Sequence, residues 1–325
     1  MRKLNWGVLA PGNIAHKFVQ GLEVIPDAVK YAVGSRDEKR AKAFADQYGF
    51  EKAYGSYQDL VNDPQVDIIY IATPHPQHED AAVLCLNHGK AVLCEKPIGV
   101  NAQQTERMVR CARENNVFLM EAMWTRFLPT ICKVRELIAD GAIGNIRLIH
   151  AGFGFRAPLN PDGRLFALAS GGGSLLDVGV YNLSLCSMLL GKQPDRIQSS
   201  MTIGSTGVDE ETSLLLSYED EQNALLSSAI RLNMPQDAII LGETGRIELP
   251  DYWHGKTVRL NNENGTDEFD LPFDATGYQF EAIEVMKCLR EGLKESKIMP
   301  LDESIAIMKT ADRIRKDNNL VYPCD

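Results

Sequence analysis

Up to about residue 120 the chain alternates short apolar runs with stretches in which apolar residues recur every three or four positions. "LNWGVLA", "KYAVGS", "VDIIYIAT", "KAVLCEK" and "NVFLMEA" are strand-like runs, whereas "EKRAKAFADQYG" and "AQQTERMVRCARENN" carry the helical period. Strands alternating with helices predict β-α-β units and a Rossmann-type parallel sheet covered on both faces. From about residue 145 the pattern changes. "NIRLIHAGFGF", "TSLLLSYEDEQNALLSSAIRL", "DAIILGETGRIEL" and "KTVRLNNENGTDEFDL" alternate and are broken by turn signals such as Asn264-Gly265, which predicts a large open antiparallel sheet. Between the two halves, "PTICKVRELIADGAIG" is a helix expected to end near Gly141, and "SLLDVGVYNLSLCSMLLG" one expected to end near Gly191. "DESIAIMKTADRIRKDNN" is a third helix, with Asp302 as its expected cap. The pattern therefore gives an α/β domain over residues 1–122 and an α+β domain over 123–325. The last helix, about 302–318, is able to pack back on the first domain.

Composition narrows the class. At 325 residues and 44% hydrophobic content, the chain is long enough for two buried cores. Met-Arg-Lys at the start leads into only a short apolar stretch before Pro11, so neither a signal peptide nor a membrane span is expected, and the reading is cytoplasmic. Seven cysteines without a C-x-x-C pair read as reduced thiols. A formal net charge of −10 excludes a general nucleic-acid partner, which needs a basic face to displace counterions.

Candidate chemistry begins at "WGVLAPGNIAHKF". Against the dinucleotide fingerprint G-x-G-x-x-G, Ala10 and Ala15 replace the outer glycines while Gly12 keeps the middle position that lets backbone approach a pyrophosphate. Asn13 and Ile14 would then open a helix whose N-terminus suits phosphate; a strand-to-helix turn binding nothing is the bland alternative. The second strand ends in Ser35-Arg36, where an NAD site usually has an acid. A hydroxyl and a guanidinium there suit a 2′-phosphate and point to NADP, while Asp37 next in line keeps NAD possible. Further on, Pro97 holds Lys96 extended at the end of a strand, so that its amine either reaches the cleft or pairs with Glu95 at the surface. "GGGSLLDVGVYNL" puts Asp177 and Tyr181 at i, i+4 on one face of an otherwise apolar helix. A tyrosine near a lysine can take the proton of an alcohol that gives up a hydride; a core tyrosine is the alternative. His75 and His78 form an H-x-x-H without a third ligand cluster, so no metal is expected.

Taken together, "GSRD" at 34–37, "IATPHPQH" at 71–78, "CEKP" at 94–97, "EAMWTRFLP" at 121–129, "GFGFR" at 152–156 and the Gly-rich "GGGSLLDVGVYNL" resemble the Gfo/Idh/MocA oxidoreductases over nearly the whole chain. They are most similar to the branch containing dimeric dihydrodiol dehydrogenase and NADP-dependent D-xylose dehydrogenase. The resemblance implies Lys96 and Tyr181 as the catalytic pair, with Asp177 lining the same pocket. It also implies Gly12, Asn13 and Ile14 at the pyrophosphate, Ser35 and Arg36 at the adenosine phosphate, and Thr73, Pro74, His78, Glu95 and Lys96 at the nicotinamide half. Trp124 and Arg126 would border the nicotinamide. Phe155, Arg156 and Tyr278 are candidates for the substrate wall, with a buried sheet aromatic as the other reading of Phe155. The implied activity is hydride transfer between NADP and a carbinol carbon of a sugar or vicinal diol. A cofactor-binding regulator without turnover is the rival, and the presence of both Lys96 and Tyr181 weighs against it. Strands as apolar as "SLLLSY" and "ALLSSAI" call for cover on both faces, so a homodimer through the C-terminal sheet is expected, as the branch also implies.

Overall fold

The computed structural model describes residues 2–325. In chain order the elements are β1 (Leu4–Leu9), α1 (Asn13–Leu22), β2 (Ala28–Gly34), α2 (Glu38–Tyr48), β3 (Lys52–Tyr54), α3 (Tyr57–Asn62), β4 (Ile68–Ile71), α4 (His78–Asn87), β5 (Ala91–Glu95), α5 (Ala102–Glu114) and β6 (Leu119–Ala122). There follow α6 (Pro129–Ala139), β7 (Ile146–Gly154), α7 (Val180–Leu190), β8 (Arg196–Ile203), β9 (Asp209–Ser217), β10 (Asn223–Ala229), β11 (Ala238–Gly242), β12 (Gly245–Leu249), β13 (Thr257–Asn262), β14 (Gly265–Asp270), α8 (Gln279–Arg290) and α9 (Leu301–Asp317). Two compact units result. One comprises the chain up to Trp124 together with Asp274–Ile305; the other comprises Thr125–Phe273 and Ala306–Asp325.

In the first unit a six-stranded parallel sheet runs in the order β3-β2-β1-β4-β5-β6. Val8, Leu9, Ile68, Ile69, Ile71, Val92 and Leu93 are all fully buried, which is why these strands read as continuous apolar runs. The short β3 has no such run, and its edge position needs none. The segment 274–305 joins this unit through several ties: Thr276 Oγ1 donates to the Lys17 carbonyl (2.8 Å), and the Leu119 N–H donates to the Lys294 carbonyl (3.1 Å). Ser304 Oγ donates to Glu121 (2.7 Å). Asp302 is the second residue of α9 and pairs with Arg113 (2.9 Å), so it is an acid of the first turn and not the cap.

The second unit holds an eight-stranded sheet in the order β14-β13-β12-β11-β7-β10-β9-β8. Every pairing is antiparallel except β7 with β10, where Leu148 meets Asn223 and Gly154 meets Ala229. Ile149, Ala151, Leu214, Leu216, Ala224, Leu226 and Ile240 bury one face, against which α7 lies. The stretch Leu168–Leu190 is the only described one long and apolar enough to cross a membrane, and 83% of its apolar window is buried inside the protein, as expected of a core helix. Gly141 and Gly191 both adopt positive φ (75° and 67°) just after α6 and at the end of α7, the conformation that stops a helix at little steric cost.

One buried group in the first unit has a pH signature. Glu281 of α8 is fully buried and neither of its carboxyl oxygens has a hydrogen-bond partner. Burial, and then the negative charge of Glu95, push its pKa well above the usual carboxylate range, so it is held protonated. Since the fold binds this proton more tightly than the unfolded chain, Glu281 leaves stability intact below the unfolded carboxylate value and lowers it progressively as pH rises from there to the folded value. Glu281→Gln should therefore lie within about 1 kcal/mol of wild type at pH 4, where folded and unfolded chains both keep the Glu281 proton. It should melt higher than wild type at pH 9. Thermal unfolding at both pH values checks this, and an unchanged difference between them would show that Glu281 does not titrate.

Candidate functional site

The order of the first sheet reverses between β1 and β4, and the loops after β1, β4 and β5 all leave from the carboxyl edge, where open α/β sheets hold ligands. After β1, Ala10 takes a left-handed φ of 67°, so an alanine makes the turn for which the fingerprint has its first glycine. The Gly12 N–H donates to the Ala10 carbonyl (2.7 Å), and Gly12 is the extended N-cap of α1. No described side chain caps α1 and no acid sits in its first turn, a helix start of the kind a phosphate would suit at the Asn13 and Ile14 amides. Ala15 at the third fingerprint position is fully buried.

At the end of β2, the Ser35 hydroxyl accepts from the Asp37 N–H (3.2 Å). Asp37 caps α2, its Oδ1 accepting from the N–H groups of Lys39 (2.9 Å) and Arg40 (3.3 Å). Arg36 is exposed and lies by Tyr57, whose pKa burial raises and the Arg36 charge lowers. Arg40, which sequence reasoning did not single out, donates from Nη2 to the Pro11 carbonyl (3.0 Å) and so braces the β1 loop. Its signal was present: it stands one helical turn beyond Arg36.

After β4, Thr73 is buried and its hydroxyl has no partner within the protein, an orphaned group at the mouth of the sheet. Pro74 leads into a single 3₁₀ turn, His75–Gln77. His78 is fully buried, with its two ring nitrogens facing the Pro97 (2.8 Å) and Thr73 (2.9 Å) carbonyls; it ties the β4 and β5 loops together. Glu95 ends β5 and accepts from the Tyr70 hydroxyl and from the Lys96 N–H (3.2 Å). Trp124 stacks on Tyr278 with ring centres 4.5 Å apart. An uncapped helix N-terminus, a loop braced by arginine and an orphaned hydroxyl at one sheet edge are the donors a dinucleotide needs. The residues fit that cofactor.

In the second unit the Gly-rich turn leads into a π-helical turn, Leu175–Gly179, that runs straight into α7. Such turns carry one extra residue and re-aim the helix beyond them. Asp177 lies in this turn, buried, and accepts from Arg164 Nη1 (2.7 Å), a partner that no sequence pattern marked. Tyr181 is the second residue of α7; its ring lies 5.3 Å from that of Phe153, which stacks on Trp253 (5.0 Å) and meets Tyr252 edge-on. Phe155, just beyond the end of β7, is half-buried and packs instead with Phe166, Val208 and Ile230. The aromatic beside Tyr181 is thus Phe153. Arg156 is exposed and bonded to Asn233 and to the Arg231 carbonyl. Arg126 is buried and donates to the Ser184 hydroxyl (2.8 Å) and carbonyl (3.0 Å), one turn beyond Tyr181 in α7.

Comparison with known proteins agrees with this anatomy. Residues 4–123 match the oxidoreductase family's NAD-binding Rossmann fold and residues 131–248 match the GFO/IDH/MocA C-terminal domain. The chain is 40% identical over 333 residues to trans-1,2-dihydrobenzene-1,2-diol dehydrogenase of Mus musculus, covering 99% of both chains. It is 38% identical over 330 residues to the Xenopus tropicalis protein of that name, covering 98% of this chain and 99% of the other. Among solved structures, its fold is similar to KijD10, a 3-ketoreductase from Actinomadura kijaniata in complex with NADP and TDP-benzene (TM-score 0.85, 24% identity, 97% and 98% covered). It is also similar to an aldose-aldose oxidoreductase from Caulobacter crescentus (TM-score 0.89, 22% identity, 99% and 100% covered). With both of its domains matched and its whole length shared with the dehydrogenases, the chain belongs to the Gfo/Idh/MocA family of oxidoreductases.

Proposed function

We propose that this chain is an NADP-dependent dehydrogenase that moves a hydride between the nicotinamide and a carbinol carbon of a vicinal diol or sugar. The observation that carries this reading is the 40% identity, end to end, with a protein named as a diol dehydrogenase. When bound, the cofactor supplies the hydride acceptor or donor. The protein's part is to hold the substrate and to exchange the hydroxyl proton. Tyr181 is assigned that exchange at its phenol oxygen, and Lys96 orients the substrate oxygen and favours the ionised phenol through its positive charge. Phe153, Trp253 and Tyr252 give Tyr181 an aromatic surround suited to a ring-shaped substrate, and Asp177 with Arg164 gives it polar contacts for hydroxyl groups. Ser35 and Arg36 serve the 2′-phosphate; the engagement of Asp37 as a helix cap supports NADP over NAD.

A second copy of the chain is proposed to cover the open face of the second sheet. There Leu225 is 43% exposed, with half-buried Leu215 opposite it on β9 and Ile239 on the same face. Sedimentation should give about twice the 36.1 kDa of one chain at micromolar concentration. A mass near one chain would refute the pairing.

Reduction of NADP by the purified protein, followed optically with trans-dihydrobenzenediol, aldoses and inositol, tests the activity itself; a regulator would bind NADPH and reduce nothing. Tyr181→Phe should lower kcat by about 10²–10⁴ with little change in NADPH affinity, and Lys96→Met should do the same. If the two serve one step, the double variant should be little slower than the worse single one. Near-normal turnover in Tyr181→Phe would move the proton elsewhere. For Arg36→Ala, loss of one charge-assisted contact of about 1.5–3 kcal/mol should weaken NADP by about ten- to hundredfold and leave NAD unchanged. Equal losses for both cofactors would rule out Arg36 as the 2′-phosphate ligand.

A further inference from the structure

Asp209, the first residue of β9, is a fully buried carboxylate outside the residues assigned above. One oxygen, Oδ2, accepts from the Ser174 hydroxyl (2.7 Å), the Leu175 N–H (2.7 Å) and the Thr212 hydroxyl (2.8 Å). The other, Oδ1, is buried with no partner and lies over Gly173, where a Cβ would come within 2.1 Å of it. Gly173 has a φ of 116°, so the turn is open to glycine alone on two counts. From the other elements, Ser228 Oγ of β10 sits 3.2 Å from the Ser174 hydroxyl, and the Tyr322 hydroxyl donates to the Gly172 carbonyl (2.6 Å). Behind Tyr322, Arg315 lies over its ring at 5.0 Å and pairs with Asp325 and Asp312. Glu210, next in β9, faces Arg231 at 3.8 Å.

Residues 172–175 are therefore gripped from a strand and from the C-terminal tail at the point where the π-helical turn begins. A π turn that slips by one residue into the α register rotates every later residue of the helix by about 100°. The Leu175 N–H held by Asp209 is where that register starts. We infer that Asp209 is a positioning residue for Tyr181: from the neighbouring strand it caps the helical segment 175–190 and locks the register that sets the Tyr181 ring against Phe153.

Protonation gives this role a signature that simple structural support lacks. Burial moves the Asp209 carboxyl up to about 6, against the downward pull of its hydrogen bonds from Ser174, Thr212 and Leu175. Its folded value lies above the unfolded one, so its contribution to stability falls as pH rises through that window. The ionised carboxylate is the better acceptor for all three donors, so the order of Tyr181 increases through the same window. The two properties move in opposite directions.

The test is ¹⁹F NMR of 3-fluorotyrosine-labelled protein from pH 5 to 8, with the Tyr181 resonance assigned by its loss in Tyr181→Phe, alongside thermal unfolding. In the wild type the Tyr181 resonance should shift with a midpoint near 6. In Asp209→Asn that titration should vanish and the resonance should shift or broaden, with no drop in melting temperature at pH 7.5. Turnover should fall by about 10–100-fold, the effect of a small misplacement at the reacting group. Ser174→Ala, which removes one donor, should move the resonance the same way by less, and serves if Asp209→Asn does not fold. A Tyr181 resonance that is flat with pH in the wild type and unchanged in both variants would overturn the inference. Only the turnover arm rests on Tyr181 exchanging the proton: a titrating resonance in a protein that reduces no NADP would sink the catalytic reading and keep the positioning one.

Discussion

A parallel sheet buried on both faces can offer polar chemistry only at its ends, and that constraint governs the first half of this protein. The strands β1, β4 and β5 bury their side chains in apolar layers, so backbone donors, Ser35, Thr73, Glu95 and Lys96 all emerge along one edge. The proposed cofactor site is a consequence of where the apolar runs stop. The cost of that economy is visible at Ala10, which holds a left-handed φ with a Cβ, and at Thr73, whose buried hydroxyl has no hydrogen-bond partner among the described residues.

Acids, one exposed and two buried, play three different parts in the same fold. Asp37 is half of a helix start, with its charge neutralised by amides of α2. Glu281 has no donor and is kept neutral by burial. Asp209 has three donors, and its carboxyl is still pushed up to about 6, because burial opposes ionisation while the hydrogen bonds favour it. Identical chemistry thus yields a cap, a neutral filler and a registering group according to the number of donors within reach.

The second unit positions its chemistry by another route. Tyr181 and Asp177 sit on a helix that is apolar nearly all round and buried against a sheet, so their places depend on helical register and not on a strand end. The π-helical turn and the triple-glycine entry let that helix begin close to β9 and β10, with Gly179 against Ser228 and Gly173 against Asp209. Side chains at those two positions would force the helix away.

Much of this was legible in the residue pattern. Continuous apolar runs, the Asn264-Gly265 turn and the helix stops at Gly141 and Gly191 are local signals, because they follow from which faces are buried and which backbone angles a residue tolerates. The element ends that carry Gly12, Ser35, Glu95 and Tyr181 were legible for the same reason, since a strand end or helix start is written within a few neighbours. The pairings over long separations were decided by the tertiary structure alone. The parallel step of β7 with β10, the return of 274–305 to the first unit, the choice of Phe153 over Phe155 beside Tyr181, and the meeting of Asp177 with Arg164 and of Asp209 with Ser174 depend on register and on which buried donors come within 3 Å. Asp37 shows the boundary between the two. From the residue pattern its carboxylate could serve a ribose or a helix, and only the fold shows that one of its oxygens, Oδ1, accepts from two amides of α2.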